Sequence, residues 1–241
     1  LNPSTESFTA VLSSSEGEKR FISQVLHQPG SRSARFTFLL PDIYRDQEGL
    51  STLFEYLCFQ SGEMGALNVL AEVEESHPLF EILRHSGFSV YSWESIWRLP
   101  ARNQTGESQQ KWADAATTDD SAIRSLFQTL VPPLVQNAEP FTNGDTQRWV
   151  YRCKGETLAY MEVINGKAGL FLVPVIHPSV EDIEVLLDNL FSFIGTQDKP
   201  VYLQVRSYQA WLSDALTKIQ AQPSPRYAML VKHLAVGQLN S

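Results

Sequence analysis

The chain has 241 residues, 43% of them hydrophobic and 19% charged, with a formal net charge of −8. That balance excludes a disordered chain and leaves enough sequence to bury one large core or two of modest size. Up to Ser108 there are 8 basic and 14 acidic residues, and after it 11 and 13, so neither part offers the basic field that a nucleic-acid backbone requires.

In chain order, SFTAVLSS and EKRFISQVLHQ read as strands, and ARFTFLLP is a firmer one by alternation and aromatic content. GLSTLFEYLCFQSG carries Leu50, Leu53, Phe54 and Leu57 at helical spacing, with Gly62 near a stop. ALNVLAEVEES is a strand with Leu67, Val69, Ala71 and Val73 on one face, His77 to Ser86 a second helix closed by Gly87, and FSVYSWESIWRL a final strand or strand pair. Tyr91, Trp93 and Trp97 then fall on one side of an extended chain, as core, a domain interface or the wall of a ligand cleft. The polar stretch PARNQTGESQQ opens a linker over residues 100–111.

Beyond it, WADAATTDDSAIRSLFQTLVPPL gives a strand and then a helix that Thr118 or Asp119 could cap. The run from Gln147 to Ile176 reads as a three-strand meander with turns at Lys154-Gly155 and Asn165-Gly166. SVEDIEVLLDNLFSFIG is a helix opening on Ser179-x-x-Asp182, close to a capping box, and ending at Gly195. PVYLQVRS is a strand, YQAWLSDALTKIQ a helix and RYAMLVKHLAV a last strand. Both halves thus run meander, helix, strand, helix, strand, an internal repeat with Val73 aligned to Val205. The fold class expected is α/β (α+β), as two similar domains over residues 1–99 and 112–241, each with a mixed, largely antiparallel sheet flanked by helices.

Cys58 and Cys153 lie far apart in apolar stretches, with neither disulfide nor metal spacing, which fits buried thiols and a reducing cytoplasm. The five histidines have no metal-ligand spacing, so no metal site is expected. No apolar run reaches the roughly 20 residues of a membrane span.

The order of elements resembles the GNAT superfamily of acyl-CoA-dependent N-acetyltransferases, and the chain looks like a tandem protein with two such folds. The residues carrying the resemblance are LNVLAEVEESHPLFEILRHSGFSVYSWESIWRL, similar to the closing strand–helix–strand of a GNAT domain with its Gly-Phe pair, here Gly87-Phe88. Residues 112–236 match a nearly complete domain, whereas residues 8–99 match only the later part, without the first strand and helices. The resemblance implies acetyl-CoA or another acyl-CoA as cofactor, held by a Q/R-x-x-G-x-G/A loop whose bare backbone approaches the pyrophosphate. The matching segments depart from it. In RDQEGLS, Arg45 takes the first position and Gly49 stands between Glu48 and Leu50, which replace the small residues. In VIHPSVEDIEV, His177 and Ser179 occupy the loop, no glycine is present, and Glu181 and Asp182 sit where a phosphate would bind.

The Tyr that many family members place four residues before Gly-Phe is replaced by Leu83, and in the second half by a position near Leu216. Glu72 and Glu162 are the strand glutamates that could act as base. No catalytic residue is therefore assigned, and Arg45, Gly49, His177 and Ser179 stand as vestigial cofactor-loop positions. The expected function is a divergent, non-catalytic tandem protein binding an unidentified partner protein or small ligand. The alternatives are an acyl-CoA-dependent N-acetyltransferase with an atypical loop, and a subunit of a larger assembly, which would expose an apolar patch.

Overall fold

The computed structural model describes residues 6–13, 20–40, 47–101, 111–141, 146–195 and 198–234. In chain order the strands and helices are β1 Glu6–Ser13, β2 Arg20–His27, β3 Ser33–Leu40, α1 Gln47–Glu63, β4 Asn68–Glu74, α2 Leu79–His85 and β5 Ser89–Arg98. They continue as β6 Trp112–Asp114, α3 Asp120–Leu130, α4 Pro133–Ala138, β7 Gln147–Cys153, β8 Glu156–Asn165, β9 Leu170–Ile176 and α5 Ile183–Ile194. The last are β10 Val201–Arg206, α6 Leu212–Lys218, β11 Gln222–Pro223 and β12 Tyr227–His233. Short 3-10 turns at Thr117–Asp119 and Ser207–Gln209 precede α3 and α6.

By contacts the chain divides into one unit of Leu1–Trp93 with Arg226–Ser241 and a second of Glu94–Pro225. The sequence places its division in residues 100–111 instead, of which 102–110 lie outside the described residues.

In the first unit β1, β2 and β3 form an antiparallel meander, β3 runs parallel to β4, and β12 closes antiparallel on β4. Alternation sends Phe8, Ala10 and Leu12 of β1, Phe21 and Val25 of β2, and Phe36 of β3 toward α1 and α2. There they pack with Leu50, Leu53, Phe54 and Leu57, the helical stripe of the sequence, and with Ala228 and Leu230 of β12. Cys58 lies in this core, and burial pushes its thiol up to about 11, so it stays protonated and unreactive at neutral pH. On the opposite face Val11, Ile22 and Leu40 stand side by side across the three strands, exposed by 59%, 36% and 55%.

The second unit has the same order, meander β7–β9, helix α5, parallel strand β10 and helix α6, with additions at both ends. β6 pairs antiparallel outside β7, and Glu94–Arg98 of β5 pairs antiparallel with β10, with β11 on its other side. One sheet face buries Trp149, Met161, Leu172 and Leu203 against α5 and α6. The other carries Val150, Tyr160 and Val175 in one cross-strand row, fully buried where α3 packs on β8 and β9 with Ile123 and Leu126.

Local chemistry explains most boundaries. Lys154 and Gly155, with φ of 52° and 83°, make the left-handed two-residue hairpin turn between β7 and β8. Gly87, φ 87°, ends α2 in the left-handed region where a side chain would be strained. Ser179 is not the cap of α5. Asp182 takes that role, accepting the Val185 N–H at 3.0 Å, because the chain turns once more before the helix begins. Gly49 lies within the first turn of α1 rather than in a loop. The sequence missed α4, a single turn and a half started by Pro133, and the two-residue β11. FSVYSWESIWRL is one strand, not a pair.

Asp119, expected as a cap, instead accepts the Ala116 N–H at 2.9 Å, and its two oxygens accept from one terminal nitrogen of Arg152 at 2.6 and 2.7 Å. Burial alone would raise its pKa, but the Ala116 N–H and the Arg152 charge outweigh that and hold it below its ordinary 3.8. Its stabilising contribution is therefore complete above that ordinary value and is lost as pH falls through the lower folded value. Asp119→Asn should cost about 1–2 kcal/mol at neutral pH, the half-exposed Arg152 limiting the effect, with the gap to wild type closing in acid. Urea melts at neutral pH and at about pH 3 read this difference.

Candidate functional site

In each unit the two parallel strands pair for only three residues and then part. In the first unit Ser33, Ala34 and Arg35 pair with Asn68, Val69 and Leu70, and in the second Leu170, Phe171 and Leu172 pair with Val201, Tyr202 and Leu203. The seam beyond each pairing is where the sheet offers backbone donors and acceptors to a ligand.

In the second unit the protein itself takes them. Gln209, 2% exposed, donates from Nε2 to the Pro174 carbonyl at 2.8 Å and accepts the Ile176 N–H on Oε1 at 2.8 Å. Pro174 explains how a proline sits inside a central strand. The N and the carbonyl of one strand residue point to the same side, so its missing N–H faces the open seam rather than the β8 ladder. The N-terminal end of α5 is also taken up, by the Asp182 carboxylate. The sequence loop positions His177 and Ser179 bond each other, with Nδ1 and Oγ 2.6 Å apart and the Ser179 N–H donating to Nδ1 at 3.1 Å. Ser179 borders a cavity of about 240 Å³ with Lys111, Cys153, Glu181 and Asp182. The seam and loop of the second unit do not fit an acyl-CoA arm.

The first unit keeps a smaller opening. A cavity of about 90 Å³ lies against the parted ends of β3 and β4, walled by Phe36, Phe38, Phe54, Leu79 and Leu83, with the exposed Glu72 at its edge. Leu83 and Leu216 are both buried and carry no proton to give. Arg45 lies outside the described residues, so the structure brings together only Gly49, within α1, on that side.

Sequence reading missed the polar cluster on the α3 face of the second unit. The Arg206 guanidinium bonds Glu94 at 2.8 Å through Nε and Glu139 at 3.1 and 3.2 Å through one terminal nitrogen, and Gln204 donates to the same Glu94 oxygen. Arg148 binds Glu162 at 3.2 Å, so the second of the two strand glutamates is engaged by a cation. Tyr208, beside this group, is pushed up to about 12, first by burial, with Arg206 opposing and Glu139 and Glu94 adding to the rise. Burial likewise raises Tyr160. Both phenols hold their protons at neutral pH, and the carboxylates are spent on guanidinium groups. The signal available in sequence was VRSYQ, an Arg and a Gln closing an apolar strand.

Trp93 and Trp97 share a side of β5 but serve different cores. Trp93 packs with the first unit under the Arg226 guanidinium at 4.1 Å, whereas Trp97 lies in the core of the second. Among the described residues no group of three His, Cys, Asp or Glu could hold a metal ion, and no helix is long and apolar enough to cross a membrane.

A meander, a helix, a parallel strand that parts from its neighbour, and a second helix recur in both units. That plan is shared with solved structures over most of the chain. A functionally unknown conserved protein from Staphylococcus epidermidis superposes with TM-score 0.64 at 8% identity, over 88% of this chain and 91% of that one. A GCN5-related N-acetyltransferase from Kribbella flavida gives 0.59 at 11%, over 89% and 87%. The chain has the GNAT fold. A tandem GNAT protein from the clavulanic acid biosynthesis pathway also matches, with TM-score 0.52 and 15% identity over 96% of this chain and 84% of that one. At these identities the likeness concerns fold, not chemistry. No protein-family model matches the sequence, and no curated protein matches it significantly.

Proposed function

We propose that this GNAT-fold chain is a divergent tandem protein that does not turn over acyl-CoA and works by binding a partner protein or a small ligand. The observation carrying this reading is Gln209, whose amide fills the second seam and satisfies the two backbone groups a cofactor arm would need. The apolar residues at both general-acid positions and the guanidinium-bound glutamates of the second unit point the same way. The second reading, an acyl-CoA-dependent N-acyltransferase with an atypical loop, rests on the cavity that the first seam retains.

Calorimetric titration with acetyl-CoA separates them. Wild type and Gln209→Ala should both release no binding heat up to millimolar ligand, the variant because the Asp182 cap remains. Affinity of wild type near micromolar, about −8 kcal/mol, would instead establish the transferase reading and make the first seam the place to look for chemistry.

A further inference from the structure

We draw no further inference here: the strongest candidate, the cavity of about 560 Å³ at the start of β10 in the second unit, lined by Arg98 and Lys199 with Phe191 and Ile194, is bordered by Ala101 and Gly195 where stretches of the described residues end, and nothing in the structure shows what fills it.

Discussion

Residues 112–241 expressed alone should fail to fold, and residues 94–225 should fold. The first fragment follows the polar boundary in the sequence, but it leaves out Glu94–Arg98, which pairs with β10 from Glu94↔Arg206 to Arg98↔Tyr202. It thereby loses Trp97 and Leu99 from the core and strands Arg206 without Glu94. Residues 1–99 fare no better. Without β12 the seven residues Asn68–Glu74 lose their antiparallel partner, and fully buried Ala228 and Leu230 vanish from the core. Each large apolar side chain removed is worth about 1.5–3 kcal/mol against a total stability of about 5–15 kcal/mol. Circular dichroism melts give the answer, since a cooperative transition in 112–241 and none in 94–225 would reverse the assignment of β5.

Arg206→Ala should be the most damaging single substitution of a polar residue in the second unit. It takes from Glu94, whose side chain is 2% exposed, and from Glu139 the cation they share. Breaking a buried pair by removing one member costs about 3–5 kcal/mol, because the survivor keeps its desolvation penalty. Replacing the pair together, Glu94→Gln with Arg206→Met, should recover most of that loss, since the Gln204 amide can still bond a neutral side chain. Guanidinium melts of the two variants beside wild type test this. Equal losses for the single and double changes would mean that the cluster stabilises through packing rather than through charge.

The fold was largely legible in the sequence because its signals are local. Alternation in ARFTFLLP, the Lys154-Gly155 turn and the Gly87 stop each depend on neighbours a few residues away, and each element appears close to where the pattern puts it. What stayed hidden depends on distant partners. Nothing in FSVYSWESIWRL says that its first half belongs with residues before it and its second half with β10, about 110 residues later. The site shows the same limit. Defaced loop positions could be read from RDQEGLS and VIHPSVEDIEV, but the closure of the seam by Gln209 needed the 3-10 turn that swings its amide back to Pro174 and Ile176. The proline in LFLVPVI was a hint beside VRSYQ, a central strand advertising a gap in its ladder.

The late arrival of β12 also sets the order of events as the chain is made. β4 is complete at Glu74, but the strand that covers its edge begins at Tyr227, so on a ribosome adding about 5–20 residues each second that edge waits several seconds at least. During that interval Val69, Ala71 and Val73 present a short, apolar, strand-forming surface to any other nascent copy. The first unit is therefore the last to mature, although it is the first to be synthesised. Its yield in the cell will depend on how quickly the final residues emerge and on what shields the edge until they do.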